Sequence, residues 1–131
     1  MTNPTVLFLC PHGGGKSAVA SSYFLQLVAE KGLAFESAFV AGSDPYDEMP
    51  GRIVSYLGTQ GRDVSQHIPR LVTADDLDQA AHIVSIGCPL EGFAVDESKR
   101  VNWDVPMLSD DFDVAVASIQ QQVDALVESL P

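Results

Sequence analysis

The chain has 131 residues, 46% of them hydrophobic, and its 18 Asp and Glu against 7 Lys and Arg give a net charge of −11. Such a length predicts a single domain over residues 1–131 with one core. The charge argues against nucleic acid and anionic membrane surfaces as partners, and no apolar run is long enough to span a bilayer. Two cysteines, with an apolar strand following Met1 too closely for a secretory signal, predict a reducing, cytoplasmic setting where any disulfide is transient and chemical.

Thr5–Cys10 is a continuous apolar run, suited to a strand buried on both faces of a parallel sheet. It stops abruptly at Cys10, three glycines follow, and a helical pattern runs from 17 to about 31, with Gly32 as a C-cap. Residues 35–41 read as a second strand, closed by Gly42-Ser-Asp-Pro45. A short helix is predicted from 50 to about 57, broken by Gly58 and Gly61. Residues 63–72 connect to a helix that Thr73 caps, with Asp75 and Asp76 in its first turn and an end near 80 or 81. His82–Ile86 is the third strand, ending at Gly87-Cys88-Pro89; residues 90–99 read as a loop and 100–105 as a shorter fourth strand. The last helix, from about 113 to 130, puts Val116, Ile119, Val123 and Val127 on one face. Strands alternating with helices predict an α/β layer fold with a parallel sheet and right-handed crossovers. Ligands of such sheets bind beyond the carboxyl ends of the strands, where Cys10, Cys88 and the region of Trp103 would lie.

Strand, glycine loop and helix start, in that order, would wrap backbone N–H groups around one point at the positive end of a helix. A thiol at the strand tip facing that field is stabilised as thiolate, and Ser17 is placed to hydrogen-bond it. The expectation is a socket for a tetrahedral oxyanion with the Cys10 nucleophile at its floor. Pro11, His12, Gly13, Gly14, Gly15, Lys16 and Ser17 would surround the anion. Two other readings of this stretch exist: a small hydrophobic strand-end Cys before an ordinary turn, and a nucleotide-binding P-loop, whose end Gly15-Lys16-Ser17 matches. Against the P-loop stand Cys10 in the first glycine position, the short chain and the lack of a strand ending in a magnesium-binding Asp. No Cys, His or Asp spacing suggests a metal site. His12 either donates within the loop or is exposed, His67 and His82 read as structural, and the acidic residues of 75–78 and 110–113 as solvated faces near helix starts.

The pattern Val6-Leu-Phe-Leu-Cys10, five residues, a basic residue and Ser17 resembles the low-molecular-weight protein tyrosine phosphatase superfamily. It is similar in particular to the thiol-dependent arsenate reductase branch, whose loops read C-V-H-N-A-G-R-S. Val40-Ala-Gly-Ser-Asp-Pro45 is similar to the family's V-x-S-A-G-T-x-P, and Asp63-Val-Ser-Gln-His67 with Pro69-Arg-Leu-Val-Thr73 to D-x-S-x-H-x-P-K-x-L-T. Residues 80–88 resemble A-D-x-V-V-T-M-G-C, and Asn102-Trp103 the family's D-W pair.

This resemblance implies a three-layer α/β fold, a four-stranded parallel sheet with helices on both faces. It implies a Cys10 thiolate attacking arsenate or a phosphoryl group, an Asp as general acid, and no cofactor beyond an external thiol or a thioredoxin- or glutaredoxin-like reductant. Cys88 would be the cysteine that attacks the sulfur–arsenic adduct, or simply a buried strand-end residue; 90–99 hold no third cysteine for a full relay. Three departures from the pattern bear on activity. Lys16 replaces an Arg whose planar fork grips two oxygens, a loss of order 2–4 kcal/mol if it equals one oxyanion donor. Met107 and Leu108 replace the Asp-Pro, leaving Asp110 or Asp111 as the preferred acids, with Asp104 also near. Pro11 lacks an N–H to offer. These departures lead to a second expectation, a relative that binds phosphate, sulfate or a phosphorylated partner without turnover.

Overall fold

The computed structural model describes residues 3–87 and 95–130. Thr5–Cys10 forms β1, an inner strand of a four-stranded, all-parallel sheet. Beside it run β2 (Glu36–Ala41) and β3 (His82–Ile86), with β4 (Arg100–Trp103) beyond β3, giving the order β2-β1-β3-β4. The chain steps from β1 to one side and then to the other, so the topology reverses at β1, and the crevice at such a switch point is where ligands bind.

Alternation along β1 builds both layers. Val6, Phe8 and Cys10 join a core with α1 (Lys16–Glu30), α2 (Gly51–Thr59) and α4 (Phe112–Ser129), among them Phe24, Val28, Ile53, Leu57 and Ile119. Leu7 and Leu9 belong to a separate cluster with Val40, Val72, Ile83 and Leu77, the last on α3 (Ala74–Gln79). Both faces of the strand are therefore dry, which is why its sequence is apolar at every position instead of every second one. Phe8 anchors the larger layer, its ring 5.7 Å from that of Phe24 and 5.9 Å from that of Trp103 in tilted contacts.

Three features differ from the sequence expectations. Helix α2 runs through Gly58 to Thr59, because a glycine inside an exposed helix costs only about 1 kcal/mol. The chain turns instead at Gly61, whose φ is +82°. Strand β4 stops at Trp103 and not at 105, and the Val105 carbonyl bonds a side chain from across the sheet edge. Glu97–Lys99, expected as loop, is a 3₁₀ turn: the Asp96 carboxylate accepts from Ser98 N at 3.0 Å, and Lys99 Nζ donates to the carbonyls of Leu77, Asp78 and Ala80. Cys88 and the residues up to 94 lie outside the described residues. No helix among the described residues is long and apolar enough to cross a membrane.

Helix α3 starts as its sequence predicts. Thr73 Oγ1 accepts from Asp76 N at 3.1 Å while the Asp76 carboxylate accepts from Thr73 N at 2.8 Å, a reciprocal capping box. Arg70 grips the same carboxylate with two N–H groups at 2.6 and 2.8 Å. The Arg70 guanidinium, helped by the Thr73 donors, pulls the Asp76 carboxyl from the usual 3.8 down to about 2. A depressed carboxyl pKa means that this stabilisation is complete above pH 3.8 and disappears as pH falls through about 2. Asp76→Ala should lower stability near pH 7 by about 1–2 kcal/mol, the sum of a lost cap and a half-exposed ion pair. Denaturant titrations of wild type and variant should converge as pH drops from 4 toward about 2; a difference that persists undiminished at the lowest pH refutes the assignment.

Candidate functional site

Cys10 ends β1 only 4% exposed, and its Sγ lies 3.1 Å from the hydroxyl of the fully buried Ser17. Between them the chain turns its carbonyls outward, onto the segment that follows β2. Cys10 O accepts from Gly42 N at 3.0 Å, Pro11 O from Asp44 N at 2.9 Å and Ser43 N at 3.3 Å, and His12 O from Tyr46 N at 3.1 Å. His12 Nδ1 donates to Asp44 O at 2.8 Å, tying the side chain to the same segment. With the carbonyls so engaged, the amides of 12–17 donate to no group among the described residues. They stand at the start of α1, whose N-terminus has no side-chain cap and no acid in its first turn. A helix start of this kind is a binding site for an anion.

Gly13 makes the turn feasible. Its φ is +70°, and a Cβ placed there would lie 2.6 Å from Ala41 N. The loop thus rests against the end of β2, a contact that only a residue without a side chain permits.

A cavity of about 340 Å³ opens on this loop. Cys10, Pro11, His12, Gly15 and Lys16 line it, and Gly87 at the end of β3 completes the edge of the sheet. The remaining walls are largely apolar: Tyr46, Pro50 and Ile53 from the region of α2, and Met107, Leu108 and Phe112 from the approach to α4. The His12 ring stacks on Tyr46 with 4.6 Å between centroids. Lys16 reaches across to the segment after β4, donating to Val105 O at 2.9 Å and touching Met107 Sδ at 3.9 Å. An ammonium has three donors, so this bond leaves two for a ligand in the cavity.

Of the residues singled out in the sequence, Cys10, Pro11, His12, Gly15 and Lys16 meet at the cavity, while Gly13, Gly14 and Ser17 are buried as the body of the loop. The two proposed acids are not brought there. Asp111 is the N-cap of α4, its carboxylate accepting from Val114 N at 3.2 Å, and Asp110 N closes a turn onto Met107 O. Neither lines the cavity; the positions that do are Met107, Leu108 and Ser109. A helix starting at Phe112 needs an acceptor one residue earlier, which is the work Asp111 does. His67 does not line the cavity. Its ring lies 4.4 Å from that of Phe39, and burial, with Arg70 nearby, lowers its pKa.

No local pattern marks Arg52 as part of this site. Its guanidinium carbon lies 4.1 Å from the Phe112 ring centroid, a contact worth about 0.5–1 kcal/mol at an exposed site, and the side chain lines the cavity. Tyr46 and Phe112 were equally silent, because the walls arise where two remote segments meet.

No family model matches the chain. A Halobacterium salinarum protein named "Putative arsenate reductase" is 26% identical over 83 residues, which are 62% of this chain and 58% of that protein. Among solved structures, a Corynebacterium glutamicum thioredoxin-dependent arsenate reductase matches with a TM-score of 0.79 at 22% identity, covering 98% of this chain and 62% of that one. A low-molecular-weight protein tyrosine phosphatase from T. tengcongensis matches with a TM-score of 0.85 at 18% identity, covering 98% of this chain and 100% of that one. The chain thus spans less than two thirds of the first two proteins' length, and its fold is that of arsenate reductases and low-molecular-weight tyrosine phosphatases.

Gly13→Ala should cost about 2 kcal/mol of stability, from a left-handed backbone and the overlap with Ala41, and should weaken binding of inorganic phosphate at least tenfold. Denaturant unfolding and calorimetric titration measure the two effects. Full phosphate affinity in this variant would show that the loop is not the anion site.

Proposed function

We propose that this chain, folded as arsenate reductases and low-molecular-weight tyrosine phosphatases are, uses Cys10 as a nucleophile toward a tetrahedral oxyanion seated on residues 10–17. One observation carries the reading: the thiol borders a loop whose first three carbonyls, of residues 10–12, bond the segment after β2, and whose amides of 12–17 lack acceptors among the described residues. Six N–H groups at a helix start, with Lys16 beside them, concentrate positive potential in a chain of net charge −11. The Ser17 hydroxyl, 3.1 Å from the sulfur, holds it in place beside the loop.

With arsenate, the Cys10 thiolate forms an S–As bond as an As–O bond breaks, the departing oxygen taking a proton and leaving as water. An external thiol then attacks the Cys10 sulfur. The S–As electron pair stays on arsenic, which leaves as arsenite, and a Cys10 mixed disulfide remains. A second thiol reduces it, so two thiols become one disulfide per arsenate reduced. With a phosphate monoester the thiolate forms an S–P bond as the ester P–O bond breaks, the departing oxygen takes a proton and leaves as the alcohol, and water then hydrolyses the thiophosphoryl enzyme to phosphate and the free thiol. No carboxylate lines the cavity among the described residues, so the leaving oxygen draws its proton from solvent, and slow turnover is the consequence. The Lys16 bond to Val105 O and the apolar Met107 and Leu108 favour a second reading, an anion-binding relative without turnover.

Arsenite release from arsenate with a dithiol or thioredoxin as reductant separates the two. The enzyme reading expects release that Cys10→Ser abolishes; phosphate binding with no release under any reductant supports the binding protein. Lys16→Arg should raise turnover tenfold or more, about 1.4 kcal/mol in the barrier, by restoring a planar fork to the anion. An unchanged rate would mean that this side chain does not face the reacting oxygens.

A further inference from the structure

The oxyanion chemistry leaves one cation of the cavity without a task. Arg52, the second residue of α2, lines the cavity with its guanidinium laid over Phe112. Arg70 is held by Asp76 and Arg100 by Glu97, but Arg52 pairs with no carboxylate among the described residues, in a chain with 18 acidic side chains. Stacking uses the face of a guanidinium and leaves its N–H edge, which lies in the plane, open to a planar anion. The ring holds the guanidinium carbon 4.1 Å from its centroid at the cavity wall.

The rest of the cavity is the wrong shape for a lone tetrahedral ion. Its volume of about 340 Å³ falls in the range of sites for organic ligands, roughly 300–1,000 Å³. Between the Cys10 loop and Arg52 the lining is apolar or aromatic, with Tyr46, Pro50, Ile53, Met107 and Leu108. Bare arsenate or phosphate seated on the Cys10 loop would leave most of that volume unfilled.

We propose that Arg52 is a specificity-determining residue that binds a carboxylate on an organic phosphomonoester, whose apolar body lies along this wall while its phosphoryl end occupies the Cys10 loop. The proposal rests on the reading of that loop as the oxyanion seat. It names the substrate class as a phosphomonoester with an apolar middle and a second, planar anion. Phe112 and Arg52 act together, the ring orienting the fork that reads the carboxylate.

Three probes test it by calorimetric titration: inorganic phosphate, benzylphosphonate, and the better bound of 3- and 4-carboxybenzylphosphonate. Wild type should bind the carboxylated phosphonate about tenfold more tightly than benzylphosphonate. Arg52→Gln should bring that ratio close to one, and Arg52→Lys, which keeps the charge but loses the fork, should leave it at a few-fold. The lysine variant also serves if the glutamine variant fails to fold. A wild-type ratio near one, or a ratio that survives Arg52→Gln, overturns the proposal. So does an equal loss of affinity for inorganic phosphate in Arg52→Gln, which would place Arg52 on the reacting anion. If none of the three probes binds the wild type, the oxyanion seat itself falls and this assignment with it. Phosphate and benzylphosphonate binding without a gain from the carboxylate sinks the Arg52 assignment alone.

Discussion

The site depends on which way the peptide planes of residues 10–12 face. Their carbonyls bond the amides of Gly42, Asp44 and Tyr46, and this one set of hydrogen bonds decides that the N–H groups of the following residues point elsewhere. Reversing those planes would present oxygen to any incoming anion. The bonds are made by a segment that merely follows β2, so that segment sets the polarity of the loop after Cys10. Ala41, at the junction, bonds Arg70 O and Val72 N and packs against Gly13, joining sheet edge and anion seat in one structure.

Much of this was legible in the sequence, for a definite reason. A strand buried on both faces must be apolar at every position, so the 5–10 run could be read without knowing its neighbours. The glycines after Cys10 and the helix pattern after them are local signals as well, and so is the Thr73 cap that α3 uses. What failed to show was whatever depends on meeting something distant. Gly58 reads as a breaker until the helix around it is seen to be exposed and held from Ile53 and Leu57. Asp111 reads equally well as an acid or as a cap, and only the start of α4 decides between them. Arg52 carries no local mark at all, because its partner Phe112 lies 60 positions away in the chain.

Charge is distributed on the same logic. The chain is strongly acidic overall, yet its cavity is lined by Lys16, Arg52 and the half-buried His12, and by no carboxylate among the described residues. Asp44 comes within 3.8 Å of His12, but its backbone carbonyl, and not its carboxylate, takes the closer bond. An acidic exterior around a cationic hollow repels anions at large and admits them at one place, which favours a small ligand over a polyanion.

The contact between Gly13 and the backbone of Ala41 also separates two kinds of variation. The anion seat is moulded by main chain, and any side chain at its tightest point would collide with the sheet. The walls around it are side chains borrowed from residues 46–53 and 107–112, of which Tyr46, Met49, Pro50 and Leu108 also lie against Gly14 and Gly15 of the loop. Mutation at wall positions away from those glycines, such as Arg52 and Phe112, can therefore redraw what the hollow accepts while the main chain of residues 10–17 stays in place. A scaffold divided in this way lets descendants exchange clients without reinventing their chemistry.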